Sequence, residues 1–303
     1  MPLNELEQHP FLDYYLQHQG TNDLYNTHTH FNGLIIGSFP IYQCTDTINE
    51  QFEVIQQRLQ LPRAAMRFFY CSNQNSFWPT LSEIFASDNP LTATTPELRK
   101  EAAITLLNHN KLLITDVVYR TNRKGESSTD DSLLISRGAV GFIVQNMSLS
   151  NSIRDILEQQ TAIRHLFFTA TSLTGKSPFG WFRKLFNITQ QQIVHVWQTG
   201  NTTTALELSL FGRTFTAFLL PTPAGNSGRG IHFSDDSRNQ LFSNYIQHVN
   251  PDFYAQITAI RKANRNQQQQ ELLTQYRKEL ILNWYRSALV HRNPAFNGIA
   301  NNV

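Results

Sequence analysis

Leu34-Ile35-Ile36-Gly37-Ser38-Phe39-Pro40 is an apolar run stopped first by a glycine and then by a proline. Three aliphatic residues in a row, with no polar alternation, predict a strand buried on both faces and set in the interior of a parallel sheet. Outward from it, Lys111 to Tyr119 predicts a second strand and Ile163 to Thr169 a third, with a further one at Ile193 to Trp197. Ala205 to Leu210 and Thr214 to Leu220, joined at Phe211-Gly212-Arg213, predict a hairpin whose second arm completes the sheet. Helical periodicity fills the gaps, over Asn4 to His18, Glu50 to Leu59, Phe77 to Phe85, Thr95 to Leu107, Ser150 to Gln160 and Pro178 to Phe186. Alternating strands and helices predict an α/β fold, three-layer α/β/α with a four-stranded parallel core. Its ligand site is expected at the carboxyl ends of the strands.

Three regions follow from the change in character along the chain: an amino-terminal helix and turn (1–30), the α/β domain (31–230) and a helical carboxyl-terminal extension (231–303). At 40% hydrophobic and 16% charged, the 303 residues have ordinary globular composition, so extensive disorder is excluded. The two cysteines, Cys44 and Cys71, cannot build a disulfide framework and are expected as reduced thiols. The start Met1-Pro2-Leu3-Asn4-Glu5 lacks the basic and then apolar pattern of a signal peptide, and no apolar stretch approaches membrane-spanning length. A cytoplasmic, monomeric protein away from membranes is the expectation. The net charge of +2 is small, yet from Phe253 onward seven basic residues face two acidic ones. Such a surface neutralises phosphates; the alternative is a solvated helix face.

Chemistry concentrates in Phe69-Tyr70-Cys71-Ser72-Asn73-Gln74-Asn75-Ser76-Phe77-Trp78, where aromatics flank an amide at a helix start. A flat ring can stack there while the amide holds a water, which suits removal of an extruded base from its sugar. The segment resembles one in hypoxanthine-DNA glycosylases of the uracil-DNA glycosylase superfamily. There, two aromatics and a His-Pro-Arg-Asn-Ala-Phe-Trp run follow a Gly-Ser-Met-Pro turn, and Gly37-Ser38-Phe39-Pro40 looks like that turn. Ile114 to Arg123 is similar to the superfamily strand that reads the base with Asn or Asp. Leu219 to Gly230, with Pro221-Thr222-Pro223 and Asn226-Ser227, is similar to its last loop, which presses on DNA.

The resemblance implies a monofunctional DNA glycosylase acting on a deaminated or modified base, hypoxanthine or uracil-like, flipped out of DNA. Asn75 would be catalytic, orienting water through its carbonyl oxygen, because Phe39 stands where the best-known branch has an aspartate. Gly37, Ser38 and Phe39 would meet the base edge, Phe77 would stack on it, and Asp116 would accept from a ring N–H. Arg120, Arg123, Thr222, Asn226, Ser227 and Arg229 would contact DNA. The small Ala224-Gly225-Asn226, in place of a bulky wedge, favours single-stranded or distorted substrates. No cofactor or metal is expected, and no lysine is placed for an imine, so strand cleavage is not predicted.

Two further motifs compete. Ala170 to Ser177, containing Gly175-Lys176-Ser177, fits a relaxed phosphate-binding loop and would make the chain a nucleotide hydrolase, although the first glycine is missing and Pro178 follows at once. His28-Thr29-His30 resembles a metal-hydrolase pair but precedes a strand instead of following one. A non-catalytic nucleic-acid-binding protein on the glycosylase fold is the third alternative.

Overall fold

The structure, a computed structural model, describes residues 6–17, 30–41, 44–47, 54, 57, 64–72, 75–122, 148–223, 231, 233 and 240–296. In chain order these form β1 (Glu7–Gln8), α1 (Tyr14–Gln17), β2 (Gly33–Gly37), β3 (Asp46–Thr47), α2 (Phe77–Ile84), α3 (Pro96–His109), β4 (Leu112–Asp116), β5 (Val118–Thr121) and β6 (Ser148–Leu149). Then come α4 (Ser152–Gln159), β7 (His165–Phe168), α5 (Pro178–Leu185), β8 (Ile193–Thr199), β9 (Thr202–Leu210), β10 (Arg213–Leu219), α6 (Gln240–Val249), α7 (Pro251–Ala259) and α8 (Gln267–Leu289).

Leu34, Ile35 and Ile36 have no exposed surface, and neither do Leu166, Phe167 and Phe168 of β7, so both faces of the inner strands are covered. Such strands need uninterrupted apolar sequence, which is what they carry. The main sheet runs β4-β2-β7-β10-β9-β8. β4, β2, β7 and β10 pair in parallel, while β9 and β8 are antiparallel additions. The fold is therefore α/β on a mixed sheet of six strands. Beyond β10 the sheet continues through its hairpin partner β9, whose nine residues pair with β8 on the other side. Helix α3 starts as its sequence signals: Thr95 accepts the Leu98 N–H at 3.3 Å and Pro96 takes the first helical position.

The amino-terminal helix expected over Asn4 to His18 is corrected. Residues 7 and 8 form β1, which pairs antiparallel with β5 on one side and β3 on the other, in a second sheet ordered β3-β1-β5-β6. Among the described residues of this stretch, the helical ones are Tyr14–Gln17. Pro10 cannot donate to a helix ladder, and the Phe11 N–H turns back onto the His9 ring at 3.1 Å, which ends any continuous helix here. Of the helix expected over 50–59, only residues 54 and 57 lie among those described.

A second correction concerns the cysteines. Cys44 and Cys71, each 2% exposed, are joined as a disulfide with Cα atoms 6.6 Å apart. The pairing withdraws the thiol half of the argument for a reducing compartment. Among the described residues no helix is long and apolar enough to cross a membrane.

The carboxyl-terminal helices share the sheet's hydrophobic core, since Leu280, Trp284, Tyr285 and Phe296 belong to the same buried cluster as Leu34 and Phe77. Helix α8 packs on α2. After α8, Arg292 lies over the Phe167 ring at 4.7 Å and donates to the Asn32 Oδ1 at 3.3 Å, while Thr204 donates to the Pro294 carbonyl at 2.8 Å. Burial lowers the Arg292 pKa to about 10, and burial together with this guanidinium lowers that of His165 to about 4. Arg265 sits over Phe233 and Arg277 over Phe242. Three of the basic residues beyond Phe253 thus spend their guanidinium faces on aromatic rings of this chain, which narrows the surface left for phosphates.

Candidate functional site

Gly37, the last residue of β2, pairs with Asp116, the last residue of β4. Beyond them the Val117 and Val118 N–H groups donate to the carbonyls of Gly37 and Ser38, at 3.0 and 2.9 Å, so the turn runs tightly along its neighbour. Ser38 and Phe39 are each 9% exposed and lie within this packed turn. A Cβ on residue 37 would lie 2.1 Å from Asp116 Oδ1 and 2.8 Å from the Tyr70 hydroxyl. Glycine is needed here because two polar side chains converge on the space a methyl would fill.

Asp116 is buried, and its Oδ2 lies 2.8 Å from Nε2 of His9. The other ring nitrogen of His9 accepts the Phe11 N–H, so the imidazole proton resides on Nε2 and is donated to the carboxylate. His9 has no exposed side-chain surface and is enclosed by the rings of Phe11, Phe39 and Phe69 at 5.9, 6.0 and 5.3 Å. Asp116 was expected at the site; His9 was not. It lies 107 residues away, in a stretch whose sequence pattern suggests a helix, and its only local signal is the proline that follows.

Tyr70 and Phe77 stack with ring centres 4.0 Å apart and planes inclined by 21°. The Tyr70 hydroxyl donates to Thr169 Oγ1 at 2.7 Å, just beyond the end of β7. Tyr70 holds a left-handed backbone conformation, φ 51°, which carries its ring back over α2. Phe77 has no exposed surface, and Trp78 meets it edge-on at 5.0 Å. The expectation that Phe77 offers a face to a base is corrected: Phe77 is fully buried and the half-buried Tyr70 ring lies over it.

Asn75 Oδ1 accepts the Phe77 N–H at 2.8 Å, an Asx turn that starts α2. One lone pair of its carbonyl is thereby used, leaving a second lone pair and the amide N–H groups. Next to it, the backbone N–H and hydroxyl of Ser76 both reach the Pro223 carbonyl at 3.2 Å. That contact joins the Asn75 turn to the segment that follows β10, where Thr222 is half-buried. Two residues earlier in this segment, the Pro221 carbonyl accepts from the fully buried Tyr285 hydroxyl at 2.7 Å. Burial pushes the Tyr285 pKa up, so the phenol stays a donor. Tyr285→Phe should lower stability by about 1 kcal/mol, the ordinary worth of such a bond, and thermal denaturation will read it as a drop of a few degrees.

Gly37 and Asp116 are joined by strand pairing, the Tyr70 hydroxyl lies beside the same space, Phe77 stacks on Tyr70, and Ser76 is hydrogen-bonded to Pro223. Arg120 lies on β5, paired with Gln8 of β1, with its guanidinium 5.1 Å over the Tyr119 ring. Arg123, Asn226, Ser227 and Arg229 lie outside the described residues, as do Ala224 and Gly225.

The competing phosphate loop resolves into a helix cap. Ser177 accepts the Gly180 N–H at 3.0 Å and donates to the Ser172 carbonyl at 2.9 Å, with Pro178 at the first position of α5. Its hydroxyl is committed to this turn and not turned outward to a ligand. His28 and Thr29 lie outside the described residues, and His30 is exposed. Among the described residues no group of three His, Cys, Asp or Glu side chains is arranged to hold a metal ion.

Comparison with protein-family models, with curated proteins and with solved structures found no match for this chain.

Proposed function

We propose that the chain is a monofunctional DNA glycosylase, related in its chemistry to the uracil-DNA glycosylase superfamily and built as three α/β/α layers on four parallel strands. One observation carries the reading: Gly37, Asp116 and the Tyr70–Phe77 stack, separated widely in sequence, converge at the carboxyl ends of parallel strands. That is where α/β sheets bind ligands, and these are the groups an extruded base needs. A packed ring supports stacking, and a carboxylate held as an acceptor meets a ring N–H.

Hypoxanthine, with its N1–H, suits Asp116, and uracil offers an N3–H. Asn75 orients the attacking water through the lone pair not taken by Phe77, but an amide is a poor base. Most of the acceleration therefore comes from stabilising the departing base and the cation-like sugar. The Pro221 to Pro223 loop, anchored by Tyr285 and Ser76, approaches the strand backbone, with a single-stranded or distorted substrate and a monomeric enzyme. The product is an abasic site.

The test is a panel of oligonucleotides carrying hypoxanthine, uracil and other modified bases, incubated with protein and then cleaved with alkali. Base release from at least one member is expected, with Asn75→Ala slowing it about 100-fold under single-turnover conditions. Asn75→Asp keeps the acceptor for the Phe77 N–H and separates helix capping from catalysis. A silent panel overturns the reading. Retained binding without release would instead identify a nucleic-acid-binding protein on this fold.

A further inference from the structure

The amino-terminal strap brings His9 to the site, and strand pairing on both sides of β1 holds it there. β1 pairs with β5, the strand immediately after Asp116, and the His9 N–H donates to the Tyr119 carbonyl at 2.9 Å. On the other side of β1, the buried Glu7 accepts from Thr45 at 2.8 Å. The His9 ring has two nitrogens and both are assigned: Nδ1 accepts from the Phe11 backbone, Nε2 donates to Asp116 Oδ2. Three aromatic rings leave it no room to turn. Among the described residues Asp116 Oδ1 makes no hydrogen bond, and it lies against the Gly37 backbone beside the Tyr70 hydroxyl.

We propose that His9 is a positioning residue for ligand recognition: by donating from a fixed tautomer to Oδ2 it keeps Asp116 an acceptor and aims Oδ1 at the Gly37 edge, so that the site selects planar heterocycles presenting a ring N–H. The inference rests on the base-binding reading of this site and names the group that sets its polarity. A carboxylate without this donor is free to rotate about its last torsion, which takes its outward oxygen away from the place where the ligand needs an acceptor. The ring and its carboxylate act as one unit. The donor constrains the carboxylate, while the ligand meets the oxygen left over.

The experiment compares free hypoxanthine with 1-methylhypoxanthine, which lacks the N1–H, by titration into the full-length protein followed by NMR. Wild type is expected to favour hypoxanthine by at least about tenfold, the worth of one hydrogen bond to a charged acceptor. His9→Leu should bind both bases alike. His9→Gln, whose side-chain N–H reaches much as Nε2 does, should restore most of the preference. Where His9→Leu fails to fold, Asp116→Asn serves instead, since it keeps an acceptor for His9 and should erase the preference. Preference retained in His9→Leu, or absent in wild type, overturns the proposal. Base preference needs no bond cleavage, so it is read separately from the oligonucleotide panel. A silent panel with an intact, His9-dependent preference removes the glycosylase activity and leaves the recognition role standing.

Discussion

Gly37→Ala should abolish base release, by 100-fold or more per folded molecule, while costing about 1–3 kcal/mol of stability. The new methyl would sit 2.1 Å from Asp116 Oδ1 and 2.8 Å from the Tyr70 hydroxyl, separations no packed side chain tolerates. Ordinarily a carboxylate at the end of a side chain would swing away cheaply. This one is pinned by His9 on its far oxygen, and His9 is itself clamped by three rings. Tyr70 is restrained as well, by Thr169 at its hydroxyl and by Phe77 at its face. The methyl therefore displaces one of the two groups proposed to contact the ligand, and the loss falls on recognition more than on folding. A matched control lies at the other end of the same strand. A Cβ on Gly33 would meet Leu112 Cδ2 at 2.7 Å and Phe167 Cε2 at 2.8 Å, a close fit, though less severe than at Gly37, made wholly by apolar side chains. Gly33→Ala should destabilise comparably and leave the activity of the folded fraction near wild type. Thermal denaturation with single-turnover base release, measured on both variants, checks the contrast; equal activity loss in the two would mean that Gly37 matters only for packing.

Much of the sheet was legible because its strands are buried on both faces, and such strands announce themselves as unbroken apolar runs: Leu34 to Ile36, Leu112 to Ile114 and Leu166 to Phe168. The Phe211-Gly212-Arg213 turn was equally clear, and both Phe211 and Gly212 take the positive φ that such a connection requires. The amino-terminal strap was misread because two-residue strands leave no periodicity to detect, and the true helix at Tyr14–Gln17 was extended backward over them. At the site, Asp116 could be named from sequence because the segment around it resembles a strand that reads a base with Asn or Asp. His9 could not, since its importance is a relation to a residue on another strand, made through a pairing between β1 and β5 that local sequence does not encode. Tyr70 was passed over for a similar reason. A positive φ at a non-glycine residue is invisible in sequence, and it is that conformation which lays Tyr70 over Phe77. The disulfide, likewise, depends on a 27-residue separation that folding closes.

Asp116→Ala should be the most destabilising single change at the site, by about 2–3 kcal/mol, because it removes the acceptor of the His9 Nε2–H on a side chain with no exposed surface. For a chain of this size that is a fall of about 5–10 °C in melting temperature. Asp116→Asn retains a carbonyl for His9 and should cost about 1 kcal/mol or less, yet it turns an N–H group toward the Gly37 edge in place of the oxygen. Release of a base that donates a ring N–H should then fall about 100-fold, roughly the loss of one charged acceptor together with the donor–donor clash that replaces it. Stability and recognition thus separate within one residue, Ala striking the first and Asn the second. A double-mutant cycle sharpens the point. With His9→Leu already in place there is no orphaned donor, so adding Asp116→Ala should cost far less than it does in wild type, by about 1–3 kcal/mol of coupling. Additive losses would mean that each residue acts through its own packing, and that the hydrogen bond between them fixes nothing at the site. Coupled losses place the two side chains in a single unit, buried because an acceptor that must not rotate has to be held from behind.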